Sequence, residues 1–132
     1  MPALVRNRSV PNIIVSNADY ERLTDLATAS IERLPEVAEE LLSEMDRAKI
    51  VRDDNVPPDV VRMGSTVTFR SDDGRELTET LVYPVDEDSD AHKISVMTPV
   101  GAALIGLAEG QSISWTARDG RRHELTVVKV KQ

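Results

Sequence analysis

Apolar residues in this chain change their spacing once, across Asp53-Asp-Asn-Val-Pro-Pro58, and the change divides the sequence into two unlike parts. Before it, Tyr20, Leu23, Ala27, Ser30 and Leu34 recur at intervals of three and four, and Ala38, Leu41, Met45 and Ala48 repeat the pattern. Such intervals place side chains on one stripe of an α-helix. Ser16 or Asn17 can cap the first helix, and Asp19 and Glu21 fall in its first turn, where the helix dipole favours carboxylates. Pro35 ends that helix and starts the next. Residues 16–52 therefore predict a short antiparallel helical hairpin (coiled coil), with arms of about 15 residues or some 22 Å. Residues 1–15 read as a tail and a short extended segment. Residues 53–63 read as a linker, because consecutive prolines cannot continue a helix.

After Gly64 the period becomes two, the signature of strands. Val67 and Phe69 share one face, and Asp73-Gly74 is a hairpin turn signal. Leu77, Leu81 and Tyr83 share a face of the returning strand, which Pro84 ends before an acidic loop over residues 86–90. A strand over Ile94 to Met97 runs into Thr98, a good N-cap, and Pro99, suited to the first helical position. The short apolar helix that follows closes at Gly106. Further turns at Glu109-Gly110 and Asp119-Gly120 bracket Ile113, Trp115 and Ala117. In the final strand Leu125, Val127 and Lys129 fall on one face, and Val128 and Val130 on the other. Residues 64–132 thus predict a small antiparallel sheet with one short helix, and the fold class is α+β.

Composition narrows the chemistry. The chain has no cysteine, so disulfides, thiolate zinc sites and thiol nucleophiles are out. With aromatics at 3%, the core must be aliphatic. No apolar run approaches the roughly 20 residues of a membrane span, and a cytoplasmic location is expected. The net charge of −7 lies mostly in residues 19–54, so the surface repels a phosphate backbone and direct DNA binding is disfavoured. Neither His92 nor His123 has ligands or a base at useful spacing, and both read as surface residues. The serines lack an elbow motif, and the glycine-rich phosphate-binding patterns are absent. No catalytic residue, metal site or cofactor is expected. Glu32, Glu36, Glu39 and Glu40 surround the hairpin tip. Two readings of them stand: a solvated acidic tip, or carboxylates that help hold a Mg²⁺ ion. The Ile94–Leu107 segment carries no acid, base or ligand, which suggests docking rather than chemistry.

Several blocks then acquire a joint meaning: Val56-Pro-Pro-Asp-Val-Val-Arg-Met-Gly64, Thr80-Leu-Val-Tyr-Pro84, Ile94-Ser-Val-Met-Thr-Pro-Val-Gly-Ala-Ala-Leu-Ile-Gly-Leu107 and Gly110-Gln-Ser-Ile-Ser-Trp115. Together they resemble the GreA/GreB family of bacterial transcript-cleavage factors, and most of all its short-hairpin branch, the regulators of nucleoside diphosphate kinase. The resemblance covers residues 12 to 131. It implies an FKBP-like sheet domain that docks at the rim of the RNA polymerase secondary channel, while the hairpin enters the channel. Met97, Thr98, Pro99, Val100, Gly101 and Ala102 would make the docking contacts, and the four tip glutamates would face the channel. In Gre factors acidic tip residues support a catalytic Mg²⁺. The present hairpin is much shorter, so the resemblance implies a non-catalytic regulator that competes with Gre factors, with an active cleavage factor as the alternative. Prolyl isomerisation, the other activity of FKBP-like folds, needs an aromatic-lined pocket. Only Phe69, Tyr83 and Trp115 are available for one, and their spacing reads as core.

Overall fold

The computed structural model describes residues 11–117 and 119–132, so most of the expected tail lies outside the described residues. Helix α1 spans Asn17–Ser30 and helix α2 spans Pro35–Arg47. The hydroxyl of Ser16 accepts the Asp19 N–H at 3.1 Å, capping α1. Pro35 occupies the first turn of α2, but the N-cap there is Leu34, whose side chain can accept no hydrogen bond. Leu23 and Ala27 of α1 face Ala38, Leu41 and Met45 of α2, all of them buried.

The hairpin is fastened at its open end. Strands β1 (Ile14–Ser16) and β2 (Lys49–Val51) flank it and pair in parallel, so that the chain enters and leaves side by side. The carbonyl of Gly106 accepts the Ile14 N–H, tying this base to the sheet region. Asp19 accepts the Met63 N–H at 3.2 Å, and the Arg22 guanidinium lies 4.3 Å from the centre of the Tyr83 ring. Residues 49–51 were expected at the end of the hairpin; a strand three residues long carries too little periodicity to announce itself.

Five strands form the main sheet: β3 (Thr66–Ser71), β4 (Glu76–Val82), β5 (Lys93–Ser95), β6 (Ser112–Thr116) and β7 (Arg122–Lys131). Their order is β5-β4-β3-β7-β6. The sheet is mixed rather than wholly antiparallel, since β5 runs parallel to β4. A 3₁₀ turn at Pro84–Asp86 and the acidic loop supply the crossover that parallel pairing requires. Helix α3 (Pro99–Leu104) follows β5 directly.

The expected alternation of β7 is broken midway. Thr68 pairs with Lys129, but Phe69 pairs with Val127, so Val128 has no partner on β3. This β-bulge shifts the pleat by one residue. Leu125, Val127 and Val130 all reach the core, while Val128 and Lys129 are exposed. Val67 and Phe69, facing Val130 and Val127, complete that layer. One continuous apolar core runs from Leu23 and Leu41 of the hairpin through Ile13 and Leu104 to Leu81 and Leu125 of the sheet. Among the described residues no helix is long and apolar enough to cross a membrane.

Candidate functional site

The start of α3 is built by three hydrogen bonds. Thr98 Oγ1 donates to the Ser95 carbonyl at 2.8 Å and accepts the Gly101 N–H at 3.0 Å. The Ser95 hydroxyl accepts the Met97 N–H at 3.0 Å. These bonds cap the helix start, as the Thr-Pro sequence predicts. Gly101 is required for a further reason: a Cβ there would lie 2.1 Å from the Ser95 carbonyl oxygen. The helix can approach β5 only because that atom is missing.

This close approach divides the six residues expected to dock. Met97 is 4% exposed, Ala102 is fully buried and Gly101 is buried against Ser95. These three cannot touch a partner; Met97 and Ala102 belong to the core cluster. Thr98, Pro99 and Val100 keep half-exposed surface. Surface available for docking is thus limited to three consecutive residues, flanked by buried Met97 on one side and by Gly101 and Ala102, where the helix closes on β5, on the other.

At the hairpin tip, Glu32, Glu36 and Glu39 are exposed and Glu40 is half-buried. Burial raises the Glu40 carboxyl above its ordinary value, and the negative charge of Glu44 adds to the shift. Burial also raises Glu44, against an opposing contribution from Arg47, with which it forms an ion pair. Among the described residues no three His, Cys, Asp or Glu side chains converge as a metal site would require. His92 is largely exposed, 3.7 Å from Glu79. His123, expected at the surface, is half-exposed and stacked on Trp115 with ring centroids 4.9 Å apart. Phe69 and Trp115 line one apolar groove of about 390 Å³ on the sheet, whereas Tyr83 lies elsewhere, against α1.

The structure brings together two regions that the sequence treats separately. Helix α2 packs on α3, so the hairpin lies along the sheet unit and its tip ends beside the docking turn. Leu34, Pro35 and Val37 from the tip and Pro99, Ala117 and Gly120 from the sheet unit line one groove of about 420 Å³. Arg33, Glu36 and Glu40 line it as well. Sequence reasoning missed Leu34, Val37, Ala117 and Gly120. The available signal was Leu34, an apolar residue in the N-cap position before Pro35, where Ser, Thr, Asp or Asn would serve the helix better.

Comparison with known proteins agrees with this architecture. Residues 56–132 match the family described as "Transcription elongation factor, GreA/GreB, C-term", and residues 11–51 match "Rnk N-terminus". The chain is 39% identical over 124 residues to the regulator of nucleoside diphosphate kinase of Escherichia coli K12, covering 93% of this chain and 91% of that protein. It is 33% identical to transcription elongation factor GreA of Rhodospirillum rubrum, covering 86% of this chain and 71% of that protein. A solved structure, the prokaryotic transcription elongation factor GreA/GreB from Nitrosomonas europaea, superposes with a TM-score of 0.73 at 38% identity, over 92% of this chain and all of that one. The two matched segments meet at the linker, the identity extends over hairpin and sheet alike, and the chain belongs to the GreA/GreB family, in the branch of the regulators of nucleoside diphosphate kinase.

Proposed function

We propose that this protein is a cytoplasmic, non-catalytic regulator that binds RNA polymerase at its secondary channel and competes there with Gre factors. The observation that carries the reading is the position of the hairpin tip. It ends beside Pro99, lining the same groove, so the hairpin reaches no deeper into a partner than the docking turn allows. Arms of 14 and 13 residues are about 20 Å long at 1.5 Å per residue. Each heptad absent relative to a Gre hairpin withdraws the tip by about 10 Å. Support of a catalytic Mg²⁺ tolerates no such displacement, since a shift of about 1 Å already costs on the order of a hundredfold in rate. The acidic tip instead supplies negative charge to basic walls at the channel mouth. Regulation of nucleoside diphosphate kinase, the role named for the Escherichia coli relative, accompanies this reading.

The test is capture of core RNA polymerase by the immobilised protein, followed by displacement with a Gre factor. Binding should be retained by the native chain, lost on addition of excess Gre factor, and weakened by Pro99→Asp, which alters the exposed turn while leaving a residue acceptable in the first helical turn. Absence of binding, or binding indifferent to Pro99→Asp, overturns the proposal. Cleavage of RNA in a backtracked complex by the native protein would instead establish the active-factor alternative.

A further inference from the structure

The geometry points to the groove between hairpin tip and docking turn as one composite binding surface, which seats a segment of the polymerase pairing a bulky apolar side chain with an adjacent lysine or arginine. The assignment rests on the polymerase-binding reading and adds to it which part of the hairpin makes contact, and with what.

Two independent observations carry it. The first is the composition of the groove. Its apolar lining comes from Leu34 and Val37 of the hairpin and Pro99 of the sheet unit, and Leu34 is 38% exposed. Among its described charged lining residues, Glu36 and Glu40 outnumber Arg33, and Glu32 and Glu39 lie close by in the chain. A lining that combines apolar side chains with carboxylates complements an apolar side chain flanked by a cation. Glu40 is already half-buried beside Glu44, so an incoming cation relieves an unfavourable concentration of negative charge there.

The second observation is the misfit of Leu34 with its own helix. It occupies the N-cap of α2 without capping it. An aspartate or serine there would satisfy a free backbone N–H and stabilise the helix. A leucine that leaves 38% of its surface exposed at that position forgoes the cap and offers apolar area to a partner.

The test separates folding from binding. Leu34→Asp should leave the melting temperature unchanged or raise it, and weaken binding to core polymerase about tenfold or more, as loss of a central apolar anchor does. The chain has no cysteine, so Leu34→Cys and Pro99→Cys each give a single site for a photo-crosslinker. Adducts from both positions should map to one polymerase segment with the stated side-chain pairing. Affinity within twofold of native in Leu34→Asp, or adducts from the two positions on separate polymerase segments, removes the composite surface. Binding that responds to Pro99→Asp but not to Leu34→Asp removes it while leaving polymerase docking intact. A native chain that neither binds nor crosslinks removes both. Should Leu34→Asp lower the melting temperature, the crosslink map alone decides.

Discussion

Gly101 and Thr98 together fix the shape of the turn between β5 and α3, and they do so by different means. Thr98 acts through its hydroxyl, which bonds at once to the Ser95 carbonyl and to the Gly101 N–H. Thr98→Ala should therefore cost about 1 kcal/mol in urea unfolding, the usual value of a lost N-cap. Thr98→Ser should restore most of it. Gly101 acts by what it lacks. In Gly101→Ala the new methyl group meets backbone, which cannot rotate aside, so α3 must lift from β5. Destabilisation of about 3 kcal/mol, at the upper end for overpacking, is expected in the same measurement. A variant within experimental error of native would show that α3 has more freedom than the geometry allows. The capping role of Thr98 was legible in the sequence because an N-cap is a local interaction. The burial of Met97, Gly101 and Ala102 was not, because it depends on how closely a neighbouring strand passes.

The elements divide in the same way between what is local and what is not. Both arms of the hairpin, the turns at Gly74, Gly110 and Gly120, and the Thr-Pro helix start follow from short-range rules that the sequence displays. The parallel pairing of β5 with β4, the β1–β2 ladder and the bulge at Val128 each rest on contacts between distant segments, and no periodicity reveals them. Helix α2 carries a prediction of its own. The Glu40 carboxyl is raised in the folded chain, so the folded state holds that proton more tightly than the unfolded one. The contribution is fully favourable below the ordinary value of 4.5 and is lost as pH rises through the raised folded value. Glu40→Gln removes the charge, so it should stabilise the protein at pH 7, with an advantage that shrinks as the pH is lowered toward 4.5. Urea midpoints measured across that range check the sign; a constant difference between variant and native would show that burial of Glu40 is not its origin.

At the scale of the whole molecule, hairpin and sheet share one core rather than two. Leu41, fully buried in α2, belongs to the same cluster as Leu81, Leu104 and Leu125. Leu41→Ala should therefore cost about 2–5 kcal/mol and lower hydrogen-exchange protection in β3 and β7 as well as in the hairpin. Loss of protection confined to the hairpin would mean two independently folding parts. The composition of each part could be read from the sequence, but their mutual placement could not, since it rests on the seating of α2 over α3. That is why the tip glutamates and the docking turn were expected to act at separate places. The closed ladder of β1 and β2 has a last consequence. Both strands of the base are clamped and α2 is seated on α3, so length added to the arms can emerge only beyond the tip. Seven residues added to each arm, in register, would carry the tip about 10 Å past Pro99 without disturbing the anchorage. Reach is then a quantity that inheritance can alter by whole heptads while the seating of α2 on α3 stays fixed.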